Sequence, residues 1–467
     1  MVYALFKPDL LELAREVHQQ HELFENGEMS AKELNDIRLE RLKNTLRHAK
    51  NNAPFYRNTL SGLSDSSIDE LDWNTFQELP FTTKNDLRTA GHDMAAAPLT
   101  EAWIYYETTG TTGAATPCPR NEQDSIFNNT PLILRYGEIF RAHGPQHIVG
   151  VMGPTELHST GDTFEDVCRS LGHTVVKMWP RSPVVGPDRA VTLIKELKIT
   201  ALVCTPAIAI SLAKHLLRRE CAPSDLGVKL IFTLGELTTP ALLRNIGEVW
   251  GSAVYNCMYA SQESSILAAS DKDGNLCTVP LNVLYEMIDP LTEQVLQPEN
   301  ASMTGELVIT HLYPGQKPLI RYRTGDMVRA QVRDQGQWHI IPIGRVRDTL
   351  SINGISHCAY DIEAALLESL KGCLDYHIQV ETVAGADRLN VTLELGNKSA
   401  AQNDLDSISS SMASKLGARV HITVGSTDAV TGTAAMVSWK AARLHDKRQG
   451  SDNQERETAL KIAARRA

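Results

Sequence analysis

Five short apolar runs between residues 147 and 257 decide the fold class of this chain. In order they read HIVGVM (147–152), TVVKM (174–178), ALVC (201–204), VKLIFTL (228–234) and AVYNC (253–257). Each run is strand-like, and helical stretches separate one run from the next. This alternation predicts βαβ units in a largely parallel sheet, and therefore an α/β protein.

The sequence on either side of these runs has a different character. Residues 1–90 read as helical, with a capping-box pattern at Ser30 and Glu33. Residues 280–343 carry short β-rich segments between Gly and Pro turns, which predicts a second sheet or a barrel. We therefore predict a large multi-layer N-terminal domain over 1–343, with βαβ sheets and a β-rich subdomain.

The remainder of the chain predicts a second, smaller domain. Strand-like and helical segments alternate over 344–445, which indicates a compact α+β fold. Residues 446–467 are dense in charge and poor in large apolar side chains, so we expect a solvated tail or a loosely docked last helix.

Composition excludes several classes of protein. The 467 residues are 42% hydrophobic and carry a formal charge of -10 without a dense basic stripe, which argues against nucleic-acid binding. The eight cysteines are scattered with no Cys-x-x-Cys pair, so we expect free thiols in a reducing cytoplasm. The longest apolar run, 201–213, is too short and too interrupted to span a membrane, and residues 1–13 lack the pattern of a signal peptide.

A run of threonines and glycines at 108–113 (TTGTTG) follows a predicted strand. The glycines let the backbone close around phosphate oxygens, and the hydroxyls and amides donate hydrogen bonds to them. A flexible surface turn explains the run about equally well. It is not a Walker P-loop, because Gly113 is followed by Ala114 rather than Lys.

Further motifs occur with this loop in a fixed order along the chain. They are PFTTK (80–84), TTGTTG (108–113), YASQE (259–263), LIRYRTGD (319–326), and Gly344 and Arg345 followed by Asp348 and Gly354. Together they resemble the adenylate-forming ligases. HAKNNAPFYR (48–57), PFTTK and LIRYRTGD look more narrowly like the phenylacetate-CoA ligase family, and the resemblance extends to about Arg443.

The resemblance implies a two-step reaction. An aromatic acid and ATP give an acyl-adenylate and pyrophosphate, and the acyl group then passes to CoA. It also implies a mobile C-terminal lid that is hinged at Arg347, and it suggests a homodimer.

The same resemblance implies roles for individual residues. Glu263 is expected to hold Mg2+, Asp326 to accept the ribose hydroxyls, Arg345 to fix ribose and phosphate, and Lys440 to stabilise the charge that passes from carboxylate to phosphate. The alternatives without a catalytic role are a surface acid for Glu263, a turn acid for Asp326 and a solvated helix base for Lys440. The remaining residues expected at the nucleotide are Thr108, Thr109, Gly110, Thr111, Thr112, Gly113, Gly235, Glu236, Tyr259, Ala260 and Ser261.

We expect the acid pocket between the first βαβ units. Its candidate residues are Tyr136, His158, Gly161 and Tyr255. His158 with the small residues that follow it would admit a planar ring and hydrogen-bond a ring substituent. The alternative is that His158 and Asp162 cap a helix that begins near Thr163.

Departures from the family pattern leave other functions open. Ala114 stands where the loop usually has Lys, with Arg120 as a substitute cation, and Ala260 and Trp439 stand where the family has Gly. These changes favour a degenerate ligase that acts as a binding protein. The altered segment 355–359 favours an amine or a carrier-protein thiol as acceptor. Only Cys277 remains of the Cys/His cluster that several family members carry, so we predict no zinc.

Overall fold

The computed structural model describes residues 7–108, 115–333, 336–396, 404–427, 439–451 and 453–457. Its helices are α1 (Pro8–Glu25), α2 (Ala31–Asn52), α3 (Pro54–Thr59), α4 (Asp65–Asp69), α5 (Trp73–Phe76), α6 (Lys84–Ala90), α7 (Glu122–His143), α8 (Thr160–Ser170), α9 (Gly186–Glu196), α10 (Pro206–Leu217), α11 (Pro240–Trp250), α12 (Ala359–Leu367), α13 (Leu405–Leu416) and α14 (Trp439–Arg443). Within these described ranges, no helix is both long enough and apolar enough to cross a membrane.

The strands follow the same chain order. They are β1 (Ile104–Glu107), β2 (Pro117–Arg120), β3 (Ile148–Met152), β4 (Thr174–Lys177), β5 (Ala201–Cys204), β6 (Leu230–Thr233), β7 (Ala253–Asn256), β8 (Met258–Ser261), β9 (Ser265–Ser270), β10 (Leu276–Thr278), β11 (Val283–Ile288), β12 (Ser302–His311), β13 (Tyr322–Val332), β14 (Trp338–Arg345), β15 (Leu350–Ile352), β16 (Ile355–His357), β17 (Cys373–Val383), β18 (Ala386–Leu395), β19 (Arg419–Val424) and β20 (Leu444–Asp446).

A five-stranded parallel sheet lies at the centre of the N-terminal part, in the order β4-β3-β5-β6-β7. The five apolar runs quoted above contain these five strands, so the predicted α/β class is confirmed. Two of the connecting helices begin with the same device. Thr205 before α10 and Thr239 before α11 accept a backbone N–H with their hydroxyls, and a proline occupies the first helical position.

The β-rich region over 258–345 forms an antiparallel sheet of seven strands rather than a barrel. Its order is β11-β12-β13-β14-β10-β9-β8, so β8 and β13 lie apart in the sheet although both carry residues of the predicted site. The N-terminal helices cover part of this core. The expected capping box of Ser30 and Glu33 begins α2, and Leu42, Leu46 and Ala49 of that helix are buried.

The C-terminal part consists of α12, α13 and a sheet in the order β19-β18-β17-β20. It packs on α10 and α11. Asn245 of α11 makes a two-way bond to the backbone of Cys373, with Nδ2 donating to the carbonyl at 2.5 Å and the Cys373 N–H donating to Oδ1 at 2.9 Å. Lys214 of α10 pairs with Glu394 at 2.7 Å and Asp375 at 3.5 Å.

The predicted boundary between 343 and 344 falls inside β14, which runs to Arg345 before a short turn at Val346–Asp348. The start of the predicted tail contacts the C-terminal sheet. Asp446 ends β20, and Arg448 pairs with both Asp446 and Asp387.

Candidate active site

Asp326 lies at the centre of a polar cluster built from three strands. It stands opposite Arg345 where β13 pairs with β14, and its carboxylate lies 3.7 Å from the Arg345 Nε. The Tyr259 hydroxyl, from β8, donates to the same carboxylate at 2.7 Å. Burial raises the pKa of Asp326, and the charge of Arg345 opposes that shift. The arrangement leaves an acceptor carboxylate beside a fixed cation.

Glu263 follows β8 and is buried. The Lys84 ammonium and the Tyr322 hydroxyl both donate to its Oε1 at 3.1 Å. Burial acts to raise the pKa of Glu263, but Lys84, a backbone hydrogen bond and Lys317 together outweigh it and lower the pKa to about 2. Glu263 is therefore ionised at neutral pH.

Two of the quoted motifs pair with each other and so bring Lys84 to Glu263. The Thr82 N–H donates to the Arg321 carbonyl at 3.0 Å, and the Arg323 N–H donates to the Thr82 carbonyl at 2.9 Å. Thr83 then caps α6, which places Lys84 in the first turn of that helix. Sequence reasoning quoted both segments but did not assign Lys84 or Tyr322 to the site.

Two further cations, Arg120 and Lys317, lie near Glu263. Arg120 of β2 donates to the Gln262 carbonyl at 3.3 Å, and its guanidinium lies 5.2 Å from the centre of the Tyr106 ring. Lys317 is buried and donates to the Pro117 carbonyl at 2.7 Å. No motif pointed to Lys317, because its neighbourhood forms only when β2 packs beside the segment before β13.

The glycine- and threonine-rich loop is described only at its start. The Thr108 N–H donates to the Thr116 carbonyl at 3.1 Å, and the Thr108 hydroxyl accepts the Thr116 N–H at 2.9 Å. The predicted phosphate-binding residues Thr109, Gly110, Thr111, Thr112 and Gly113, and the departure Ala114, lie outside the described residues.

The other expected nucleotide residues lie at the ends of strands. Gly235 has a φ of +78°, which favours glycine, as the chain leaves β6. The next residue, Glu236, accepts the Ala207 N–H at 3.1 Å. Burial raises the pKa of Glu236, and Arg443 opposes the shift. Ser261 accepts the Ser264 N–H at 3.1 Å, and Ala260 is exposed beside an irregularity between β8 and β9.

Tyr136 and Tyr255, two of the four candidate acid-pocket residues, both contact Phe232. Tyr136 is fully buried in the core, and its hydroxyl donates to the Cys257 carbonyl at 2.6 Å. Tyr255 is half-buried, and its hydroxyl donates to the Lys272 carbonyl at 3.4 Å.

The other two, His158 and Gly161, lie at the start of α8, which begins at Thr160 rather than near Thr163. His158 Nδ1 accepts the Thr160 N–H at 3.2 Å, which leaves the ring proton on Nε2. That Nε2 is buried and has no partner among the described residues. A Cβ on Gly161 would meet Thr155 at 2.9 Å, so the helix start packs too closely for a larger residue. Asp162 accepts the Tyr106 hydroxyl at 3.0 Å instead of capping the helix.

Lys440 is in the first turn of α14, close enough to Asp348 that it helps lower the carboxyl's pKa, although burial raises that pKa overall. The structure does not bring Lys440 into contact with Glu263 or Asp326 among the described contacts. Arg347, the expected hinge, lies 3.9 Å from Asp348 and 3.6 Å from Glu455. Arg345 is also close to Asp348, because the charge of Asp348 acts to raise the pKa of the Arg345 guanidinium.

Comparison with known proteins decides the family. The family model described as AMP-binding enzyme matches residues 38–312, which is more than half of the chain. The chain belongs to this AMP-binding enzyme family. Membership confirms the predicted adenylate-forming resemblance and, with it, an AMP-forming enzyme.

Individual members of the family cover nearly the whole chain. A phenylacetate-coenzyme A ligase of Pseudomonas putida is 28% identical over 434 residues, which are 90% of this chain and 95% of the relative. One of Thermus thermophilus is 27% identical over 379 residues, with 78% and 81% covered. A solved structure of 2-hydroxyisobutyryl-CoA ligase in its postadenylation state aligns with a TM-score of 0.72 at 20% identity, over 93% of each chain. The narrower phenylacetate-CoA ligase-like resemblance is thereby confirmed.

Cys277, the cysteine retained from the family cluster, has two polar neighbours that sequence reasoning did not assign. Its sulfur and the donor atoms of Asp271 and His339 all lie within 4.8 Å of one another. Asp271 also accepts the N–H groups of Asp273 and Asn275 within its own turn. His339 joins only because β14 pairs with β10, which the linear spacing does not indicate.

Proposed function

We propose that this chain is an AMP-forming ligase that activates a carboxylic acid with ATP and transfers the acyl group to CoA. The observation that carries the proposal is the convergence of Tyr259, Asp326 and Arg345 in the sheet whose β8–β9 turn carries the buried, ionised Glu263. Membership of the AMP-binding enzyme family supports the first half of the reaction. The names of the relatives support CoA as the acceptor.

In the first step a carboxylate oxygen attacks the α-phosphorus of ATP and pyrophosphate leaves. Asp326 would accept the ribose hydroxyls, and Arg345 would face the ribose and the α-phosphate. Asp326 is oriented without a nucleotide, since it already accepts the hydrogen bond from Tyr259.

Glu263 has the chemistry of a residue that would bind Mg2+. It is an anionic oxygen donor, and both of its described bonds from other side chains go to Oε1. When bound, Mg2+ would neutralise charge on the ATP phosphates. Lys84 would hold Glu263 ionised, and Lys317 and Arg120 would supply the positive charge that the sequence lacks with alanine at position 114.

We propose that Lys440 stabilises the charge that develops between carboxylate and phosphate. Lys440 is near Asp348, and Asp348 is near Arg345. Arg345 in turn lies 3.7 Å from Asp326, so Lys440 is on the side of the site that would hold the nucleotide, which supports this role. In the second step the acceptor thiol would attack the acyl carbon and form a C–S bond, while the C–O bond to the adenylate breaks and AMP leaves.

The acid is proposed to be aromatic, as the names of the relatives suggest. His158 would offer its unpartnered Nε2–H to an oxygen of that acid. Pyrophosphate exchange with benzoic, hydroxybenzoic, aminobenzoic and arylacetic acids tests the first step. CoA, hydroxylamine and simple amines, offered in turn with the best acid, test the acceptor. An absence of exchange with these aromatic acids would overturn the aromatic substrate. An absence of exchange with aliphatic acids as well would overturn the ligase and leave the binding-protein alternative.

A further inference from the structure

One buried carboxylate joins the two parts of the chain close to Lys440. Glu363 of α12 is 1% exposed, and its Oε1 accepts the Thr239 hydroxyl at 3.1 Å. Thr239 caps α11 and ends the loop that begins with Gly235 and Glu236. This hydrogen bond therefore ties the C-terminal part to a segment of the N-terminal part that is expected to face the nucleotide.

The other oxygen of Glu363 faces the segment that carries Lys440. The Trp439 indole N–H donates to Glu363 Oε2 at 3.2 Å and to the Tyr376 hydroxyl oxygen at 2.9 Å. The Tyr376 hydroxyl in turn donates to the same Oε2. Glu363 thus accepts hydrogen bonds from three side chains that belong to separate elements.

Lys440 stands between two anchored side chains of α14. Trp439 precedes it, and Arg443 follows it by less than one turn. Arg443 is buried, pairs with Asp375 and lies 4.5 Å from the centre of the Tyr376 ring. A helix of five residues has too few internal hydrogen bonds to hold a direction by itself. Its orientation therefore depends on tertiary contacts, and of these Trp439 is the one next to Lys440.

We propose that Glu363 and Trp439 are positioning residues, which hold Lys440 in a fixed position relative to the loop between β6 and α11. The inference rests on the proposed role of Lys440 in adenylation. Removing the indole N–H takes away the one described hydrogen bond between the side chain next to Lys440 and Glu363, and it leaves the buried Glu363 with one donor fewer. Arg443 and the bond from Arg456 to the Ala441 carbonyl then hold only the later part of α14 among the described contacts. Lys440 then samples positions in which its ammonium does not reach the reacting carboxylate.

The test compares Trp439→Phe with Trp73→Phe. Trp73 also loses an indole hydrogen bond, to Asn35 at 2.9 Å, but on the N-terminal helices. We expect Trp439→Phe to lower kcat for pyrophosphate exchange roughly 5- to 10-fold with an unchanged KM for ATP, the scale of one lost buried hydrogen bond. Acyl transfer from a synthetic acyl-adenylate should stay within about twofold of wild type, because Lys440 has no part in it.

Hydrogen–deuterium exchange gives a readout that does not depend on activity. Amides of 439–447 should exchange faster in Trp439→Phe and in Glu363→Gln, and at the wild-type rate in Trp73→Phe. If Glu363→Gln fails to fold, Trp439→Phe decides alone. Unchanged amide exchange in Trp439→Phe overturns the positioning role. Absence of pyrophosphate exchange in the wild type overturns the proposed function instead, and the amide comparison still decides whether Glu363 anchors this segment.

Discussion

At the scale of single residues, the acids of the candidate site are held by partners from distant parts of the chain. Asp326 accepts a hydrogen bond from Tyr259, and Glu263 accepts one from Lys84. Glu263 is buried and Asp326 is partly buried, and their pKa values move in opposite directions. Desolvation raises the pKa of Asp326, whereas two lysines and a backbone hydrogen bond together lower the pKa of Glu263 in spite of its burial. The different surroundings of these two carboxylates therefore shift their pKa values in opposite directions, although both belong to one candidate site.

Asp326→Ala should raise the KM for ATP steeply. A charge-assisted bond to the ribose is worth about 2 kcal/mol, which is roughly 30-fold in affinity, and no neighbouring acid replaces it. Initial rates of pyrophosphate exchange against ATP concentration measure the effect. Asp289→Ala is the control, because Asp289 is a turn acid that accepts the N–H groups of Leu291 and Thr292. An ATP dependence like that of the control contradicts the ribose assignment.

A buried histidine should make stability fall as the pH drops below neutral. Burial lowers the pKa of His21 from 6.5 to about 3, and its Nε2 bonds to Asn282 at 2.9 Å. The unfolded chain binds a proton there below pH 6.5 while the folded chain does not. This contribution is fully present above pH 6.5 and is lost by about 1.4 kcal/mol per pH unit as the pH falls toward 4.

Urea unfolding at several pH values between 7.5 and 4.5 measures this slope. His21→Gln keeps an N–H donor for Asn282 and should give a shallower slope by about one proton. His18→Gln is the control, since His18 lies exposed on the same helix. Equal slopes in the wild type and His21→Gln would show that His21 is protonated in the folded protein.

At the scale of elements, the PFTTK segment (80–84) and the LIRYRTGD segment (319–326) are hydrogen-bonded to each other through Thr82. Arg321, just before β13, has a φ of +44°, a conformation that is costly for a side chain with a Cβ. Its guanidinium pairs with buried Glu286 at 2.9 Å and lies 4.1 Å from the centre of the Phe81 ring. These contacts hold the backbone at Thr82, from which α6 and Lys84 follow.

Thr83→Ala should destabilise the start of α6. The Thr83 hydroxyl accepts the Asp86 N–H at 3.2 Å and donates to the Asp86 carboxylate at 2.7 Å. Loss of such a cap costs about 1 kcal/mol. The free energy of unfolding in urea measures it. Thr83→Ser retains the hydroxyl and should behave as wild type, and equal losses in both variants would assign the effect to the methyl group.

At the scale of the whole molecule, the C-terminal part is docked on the outside of the parallel sheet. Apolar residues of α12 and β17 join the same core cluster as α10 and α11. Polar contacts at Asn245 and Lys214 border this surface. The segment with Lys440 is therefore placed by contacts that belong to both parts of the chain.

Lys440→Ala should abolish most adenylate formation and leave transfer from a synthetic acyl-adenylate intact. The reason is that one lid cannot place a cation and an acceptor thiol at the same carbonyl simultaneously. Pyrophosphate exchange and single-turnover transfer measure the two steps. Lys195→Ala is the control, because Lys195 is exposed in the last turn of α9. Equal loss of both steps would make Lys440 structural, and loss of neither would move the role to another base, with Lys447 the nearest candidate.

The local sequence predicted the elements that carry a strong local pattern. The five apolar runs contain the five parallel strands, and the capping box of Ser30 and Glu33 begins α2. The motif residues Asp326 and Arg345 could be assigned in advance because they fall in recognisable segments. Lys317 could not, since its flanks resemble any polar turn.

What the sequence by itself determined was the α/β class, the order of the motifs and the family. These depend on apolar periodicity and on short segments, which are local properties of the chain. Only the tertiary structure decided which side chains meet: Lys84 with Glu263, Trp439 with Glu363, and Tyr136 with Phe232 in the core. The physical reason is that such pairs are set by strand order and domain packing, where residues far apart in sequence share one buried environment.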